Sequence, residues 1–307
     1  MRGLHENPIN AFVLIPMKPT LIELTLDIPG FDHFIGSWVC PGPQNVLVDV
    51  GPSNAALQLI QHLKTMGLER IDTVLLTHIH IDHAGGLAAF LEHYPMARVI
   101  CHEMGLQHLV DPSRLWAGSR KVLGRVAKAY GPLGPLPRER LISHRDARME
   151  GLTIIETPGH APHHLSFRYN GVLFPGEAGG NYLILQDADY LRPATPPVFF
   201  MENALTSIDR LLGLGDMPMC YPHFGMAEGS VSLLKRHRKQ LLRWEKVIRE
   251  EHAAGNSRLA ERCIERLLGE DPDLRAFGTM SSETQERERF LMTNAVTGFL
   301  GYLERRQ

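Results

Sequence analysis

Thr77-His78-Ile79-His80-Ile81-Asp82-His83 sets three imidazoles and one carboxylate within the six residues from His78 to His83. Neutral imidazole nitrogens and carboxylate oxygens are the donors that zinc, iron, manganese and similar divalent ions take. In a chain with 16 histidines, a lone His-x-His pair reads first as a His-rich surface loop. The surroundings argue otherwise. Ile71 to Leu76 is an apolar, β-branched run without alternation, the pattern of a strand buried on both faces. Gly85-Gly86 follow the run, and their missing side chains let the backbone pass close to a metal centre. A rigid strand thus delivers ligands onto a loop. A turn there can send His78 and His80 to one side and Asp82 and His83 to another, enough to begin two adjacent sites.

Working outward, Ala11 to Ile15, Leu21 to Leu26 and Gln44 to Val50 are apolar stretches punctuated by Pro and Gly and read as strands. Ser53 is a good N-cap for a helix over Ala55 to Met66, with apolar positions at Ala56, Leu59, Ile60 and Leu63, and Gly67 ends it. A helix is expected from Gly85-Gly86 to His93, a strand from Arg98 to His102, and a largely helical insertion from Met104 to Tyr130, broken near Asp111-Pro112-Ser113. Gly131 to Pro137 reads as a loop. Strands return at Leu152 to Glu156, His164 to Tyr169 and Val172 to Phe174, the last two joined by the hairpin signal Asn170-Gly171. From about Ser230 the pattern shifts to long polar helices, Leu233 to His252, Arg258 to Leu268 and Thr284 to Arg305. The expected division is an αβ core over 1–229 and a helical extension over 230–307.

Composition sets limits. With 44% hydrophobic and 21% charged residues, the chain can bury a core large enough to offset the entropy of ordering it. The 32 Lys and Arg against 34 Asp and Glu give a formal charge of −2, no whole-molecule attraction for nucleic acid or anionic lipid. The expected partner is a small-molecule substrate, with neither nucleic acid nor membrane. Cys40, Cys101, Cys220 and Cys263 lie far apart, form no CxxC pair and read as free thiols. With no run of about 18 apolar residues and no signal-peptide pattern, the expected location is cytoplasmic. No GxSxG elbow offers a nucleophilic serine.

At this point the chain resembles the metallo-β-lactamase superfamily, whose HxHxDH signature His78, His80, Asp82 and His83 match in full. Downstream, Thr157-Pro158-Gly159-His160 resembles the family's TPGH element, Phe174-Pro175-Gly176-Glu177 stands where it has FxGD, and Tyr221-Pro222-His223-Phe224-Gly225 resembles PGHG. The resemblance spans roughly Leu21 to Gly225. It implies a four-layer αββα sandwich, α/β in class, here with a helical insertion and a helical C-terminal extension. It further implies that His78, His80 and His160 hold one metal, that Asp82, His83 and His223 hold a second, and that position 177 bridges them. Glu177 departs from the usual bridging Asp; the longer side chain can still ligate, with the alternatives that it binds only one metal, opens the metal spacing, or favours iron or manganese over zinc. Asp187 and Asp189 are alternative carboxylates. The implied cofactors are two divalent ions, zinc foremost, with iron or manganese as alternatives.

The implied activity is metal-dependent hydrolysis of an ester-like bond (thioester, lactone or phosphoester) by a metal-bound hydroxide. Asp82 would orient the nucleophile and pass its proton to the leaving group. The competing readings are iron-dependent redox chemistry on the same scaffold and a binding protein with a vestigial site. Tyr182 is a candidate oxyanion donor by similarity to related lactonases. His163 and His164 follow His160 closely, and His102, His108 and Trp116 belong to an insertion that could lid the pocket. Lys235-Arg236-His237-Arg238-Lys239, with Arg243 and Lys246, is a basic segment suited to an anionic part of a substrate, a solvated helix face being the simpler reading. The apolar positions Leu233, Leu234, Leu241, Leu242 and Val247 need a partner, either the core or a second subunit in a homodimer.

Overall fold

The computed structural model describes residues 18–185 and 188–305. The expected strand at Ala11 to Ile15 and the carboxylate of Asp187 lie outside them.

The first sheet holds β1 (Thr20–Leu24), β2 (Ile35–Cys40), β3 (Val46–Val48), β4 (Thr73–Leu75), β5 (Arg98–Cys101) and β6 (Leu141–Ser143), side by side in chain order. β1, β2 and β3 run antiparallel, and from β3 onward the pairs are parallel. Parallel neighbours need crossovers. α1 (Ala56–Thr65) supplies the one from β3 to β4, while α2 (Ile81–Ala84) and α3 (Leu87–His93) lie between β4 and β5. The insertion before β6 is three short helices, α4 (Leu106–Val110), α5 (Ser113–Leu123) and α6 (Arg125–Tyr130). The break at Asp111-Pro112 was expected; the second, at Gly124 with φ +54°, falls in a helical periodicity that hides it.

β7 (Leu152–Glu156), β8 (Leu165–Tyr169) and β9 (Val172–Phe174) begin the second sheet. Asn170 and Gly171 both take the left-handed conformation that a two-residue hairpin turn demands. A separate ribbon of β10 (Asn181–Ile184) and β11 (Asp189–Arg192) follows, then α7 (Met201–Leu212), and β12 (Met219–Tyr221) and β13 (Gly225–Ala227) complete the sheet in the order β13-β12-β9-β8-β7. α8 (Val231–Ala253), α9 (Leu259–Glu270) and α10 (Ser282–Glu304) close the chain.

The fully buried strands of the first sheet follow from being covered on both faces. Trp38, Val46, Val48, Leu75 and Ile100 point at Leu165, Phe167, Phe174 and Cys220 of the second sheet. Their alternates Val39, Leu47, Val74 and Val99 point the other way, onto Leu59 and Leu63 of α1 and Phe90 of α3. The outer face of the second sheet meets α7, and Leu173, Met219 and Tyr221 share one core with Ile208, Leu241, Trp244, Leu267 and Phe299. The layers are therefore helix, sheet, sheet, helix. Leu233, Leu234, Leu241 and Val247 of α8 are buried inside this molecule while Leu242 is exposed, and the C-terminal helices share a core with β10, β11 and β12 across the expected boundary at 229/230. No helix among the described residues is long and apolar enough to cross a membrane.

Candidate metal centre

β3 and β4 of the first sheet run parallel, as do β9 and β12 of the second, and the loops after all four carry polar side chains. Thr77 joins the sheets there: its carbonyl accepts a 2.7 Å bond from the Leu165 N–H. His78 and His80 follow β4, Asp82 and His83 open α2, His160 follows β7, Glu177 sits in a tight turn after β9, and His223 follows β12. Residues nearly 150 positions apart in sequence thus share one edge of the sandwich.

Two donor groups form. His78 Nε2 and His160 Nε2 each lie 2.9 Å from His80 Nδ1. Asp82, His83, Glu177 and His223 place donors within 4.8 Å of one another. Glu177 lies between the groups. Its Oε1 is 3.0 Å from His83 Nε2 and 3.2 Å from His223 Nε2, while Oε2 is 3.5 Å from His78 Nδ1 and 4.0 Å from His160 Nε2.

Hydrogen bonds at the far ring nitrogens fix which donor faces inward. The Nδ1–H groups of His160, His223 and His83 donate to Ala194 O at 2.7 Å, Phe34 O at 3.0 Å and Asp49 Oδ2 at 2.9 Å. The Thr77 hydroxyl donates to Asp49 Oδ2, so it accepts from His78 Nδ1 at 3.1 Å. Each of these four rings has its Nδ1 engaged and therefore presents Nε2 toward the centre, the atom a metal would take. One proton on His80 Nδ1 cannot fully satisfy two lone pairs that both point at it, and the buried Glu177 Oε2 has no hydrogen-bond partner. A divalent cation fits this donor set: it would satisfy the converging lone pairs and offset the three carboxylates Asp49, Asp82 and Glu177.

Burial holds the pKa of His78 and His80 well below that of a free imidazole, so both rings are neutral. Burial opposes charge on His83 too, yet Glu177, Asp49 and Asp82 together push it well above. For Glu177 burial acts upward, and His83, His78 and His160 outweigh it, holding the carboxyl well below the usual range.

Asp49 was not foreseen. Buried at the end of the β3 run, it accepts from Thr77 N at 2.8 Å, Thr77 Oγ1 at 2.8 Å and His83 Nδ1. Its sequence signal is slight: one acid closing an apolar run before Gly51-Pro52. His164 proves to be a support for Glu177. Its Nε2 accepts the Glu177 N–H at 3.1 Å, so its Nδ1–H donates to Thr157 Oγ1, which donates to Ser166 Oγ, which donates to Pro175 O. The Glu177 turn needs Gly176, at φ +55°, where a Cβ would come within 2.4 Å of His164 Nε2. Gly85 and Gly86 serve another purpose than the expected one: a Cβ on Gly85 would meet Ser53 N at 2.8 Å and one on Gly86 would meet Ala56 Cβ at 3.2 Å, so they let α2 pack on the start of α1.

Other expectations are corrected. Tyr182 turns into the outer core, stacked near Tyr221 with its hydroxyl 3.4 Å from Asp189, whereas its strand neighbour Asn181 lines the cavity over the centre. Asp189 is held by Arg236 through two bonds of 2.6 and 2.9 Å and supplies no ligand. The arginines of the basic segment are paired within the fold: Arg236 with Asp189 and Asp273, Arg238 with Asp209, Arg243 with Asp271; His237 is buried, and Lys235 and Lys239 are exposed. His102 stacks on His144, which reaches Glu156 at 2.9 Å. Both rings accept a backbone N–H at Nδ1, so both carry their proton on Nε2, the wrong tautomer for a metal. His108 is half-buried and, like Trp116, does not line the cavity.

That cavity, about 740 Å³, opens from His80, Asp82, His160, Glu177 and His223 and is walled by α5, α6, α10 and the loop 194–200, with His163 on its side. The insertion therefore does border the site.

A family model described as the metallo-beta-lactamase superfamily matches residues 37–223. A metallo-beta-lactamase fold-containing protein of Sulfurisphaera tokodaii is 28% identical over 222 residues, 68% of this chain and 78% of that one. A hydroxyacylglutathione hydrolase of Aeromonas hydrophila is 29% identical over 203 residues, 64% of this chain and 63% of that one. Among solved structures, a metallo-beta-lactamase family protein from Thermus thermophilus superposes with a TM-score of 0.61 at 20% identity, covering 94% of this chain and 93% of its own.

Proposed function

This chain belongs to the metallo-β-lactamase superfamily, and from that premise we propose that it is a hydrolase with two divalent ions in its site that cleaves an ester-like bond of a small molecule. The observation that carries the reading is the pair of adjoining donor groups, His78/His80/His160 and Asp82/His83/His223, with the carboxylate of Glu177 between them. Bound there, divalent ions lower the pKa of a water toward neutrality and polarise a substrate oxygen.

The chain's own residues do the rest. Glu177 reaches toward both groups at once from the tight turn that begins at Gly176. Asp82 is the carboxylate of the set with the most solvent access, its side chain 20% exposed, and it lines the cavity. That position suits a proton carrier that receives from the attacking water and gives to the leaving group. Asp49, Thr77, Ala194 and Phe34 hold the histidine rings in the tautomer the site needs. Neutralisation of the α8 arginines by aspartates argues against a broad anionic substrate docking on that helix.

The test is elemental analysis of protein purified without added metal, followed by turnover of ester, thioester and lactone panels by the wild type and by His80→Ala. Near two zinc or manganese per chain, turnover in the wild type and none in His80→Ala support the reading. About one iron per chain with oxygen uptake, or undiminished turnover in His80→Ala, overturns it.

A further inference from the structure

We infer that the substrate of this site carries an extended apolar acyl chain, which lies between α5 and the loop 194–200; the inference deepens the hydrolase reading above and rests on it. One end of the cavity is the donor centre, and the other is hydrocarbon: Leu115, Val122 and Leu123 of the insertion face Val198, Phe200 and Leu291. α5 spans 11 residues, yet none of them is buried. A helix with an apolar stripe normally buries it against protein. On α5, Leu115 and Leu123 pack only in part against the core and also border the cavity, while Val122 stands exposed at its rim.

Three exposed apolar side chains stand at the same mouth. Val122 is 44% exposed, Val198 60% and Phe200 42%, on two segments that border one opening. Scattered exposed apolar residues need no explanation, but a set rimming a pocket that leads to reactive donors does. Charge agrees. Among the described residues, the cations on the wall are Arg114, which is exposed, and Arg192, which is buried and committed to Glu288. A chain of methylenes, not a polyanionic carrier, matches this wall.

Polar groups stand at the inner end. Asn181 is 4% exposed and lines the cavity, and its Oδ1 has no partner; His163 Nδ1 is likewise unpartnered. Both residues line the cavity and make its inner end polar, while the tail of an acyl compound lies along α5. In the reaction, water adds across the acyl–heteroatom bond: its oxygen joins the acyl carbon, the bond to the leaving heteroatom breaks, and a proton goes to that heteroatom.

The first arm of the experiment needs no turnover. The N-methyl amides of butanoic, hexanoic, octanoic and decanoic acid, neutral and not esters, are titrated calorimetrically into the metal-loaded full chain. Affinity should rise about fourfold for each methylene added. Val122→Asp, at an exposed position where the fold is not at risk, should flatten that ladder while the thermal midpoint stays at the wild-type value. Affinity independent of chain length, or a ladder unchanged in Val122→Asp, overturns the inference. The second arm follows hydrolysis of esters and thioesters of the same acids. If the amides climb the ladder and no ester, thioester or lactone is cleaved, the acyl-binding inference stands and the hydrolase reading fails. If esters are cleaved at rates indifferent to chain length, the hydrolase reading stands and this inference falls.

Discussion

Asp49→Asn tests the site through a residue that no sequence motif marked. The substitution preserves shape and removes one charge and one acceptor from a buried position that receives three hydrogen bonds, from Thr77 N, Thr77 Oγ1 and His83 Nδ1. The asparagine has two orientations. With its Oδ1 toward Thr77 N, its NH2 faces two donors: Thr77 can turn its hydroxyl, but His83 must surrender the Nδ1 proton and take it on Nε2, the atom turned toward Glu177. In the flipped orientation the Thr77 N–H is left buried and unpaired, at about 1–3 kcal/mol. Either route lands in the range observed when the partner behind a metal-bound histidine is removed, about 10–100-fold in metal affinity. The assay is competition for zinc against a chromophoric chelator, with far-UV circular dichroism to verify the fold. An Asp49→Asn protein that holds its metal within a factor of two of wild type would refute the claim that Asp49 sets the His83 tautomer.

Two further outcomes are expected elsewhere. Glu288 is fully buried between Arg192 and Arg287, so Glu288→Gln leaves two buried cations undercompensated and should cost about 3–5 kcal/mol in denaturant unfolding. Burial would raise its carboxyl pKa, but the two arginines hold it below the ordinary value. Its contribution is therefore complete above the unfolded pKa of about 4.3 and is lost as pH falls through the lower folded value. Wild-type stability should decline with acid in that window, and more steeply than that of Glu288→Gln; parallel pH profiles would contradict this. Tyr182→Phe should leave kcat near wild type, because the hydroxyl meets Asp189 and not the cavity. A loss approaching the 10²–10³ expected for removal of an oxyanion donor would restore Tyr182 to the chemistry.

What could be read in advance was what the chain writes locally. His78 to His83 follow a buried strand within a few residues, and the hairpin at Asn170-Gly171 is spelled by two adjacent residues. The sandwich itself was inferred from resemblance, because short buried strands with no alternation do not say what covers their second face. Contacts between distant segments were out of reach. Asp49 meets partners 28 and 34 residues away, and Arg236, Arg238 and Arg243 of α8 find Asp189, Asp209 and Asp271, so the arginines of a segment that reads as a free basic patch are paired in the fold. Tyr182 failed by a single position. Successive strand residues face opposite ways, so only the register of β10 decides that Asn181 looks into the cavity and the tyrosine does not.

The same logic explains why the C-terminal helices cannot be set apart from the site they follow in sequence. His223 owes its orientation to Phe34, which accepts its Nδ1–H and stacks on its ring with centroids 4.5 Å apart. Arg287 of α10 sits 4.3 Å over that phenyl ring and donates to Gly30 O, fixing the segment that carries Phe34. Its neighbour Glu288 binds Arg192 at the end of β11, on the cavity wall, and Leu291 and Asn294, further along the same helix, line the cavity. A buried pair such as Arg192–Glu288 is weak grounds for stability, since hydrophobic replacements often do as well. As a device that locks α10 against β11 it has a clear use: it holds the helix that braces Phe34, and through Phe34 the orientation of His223.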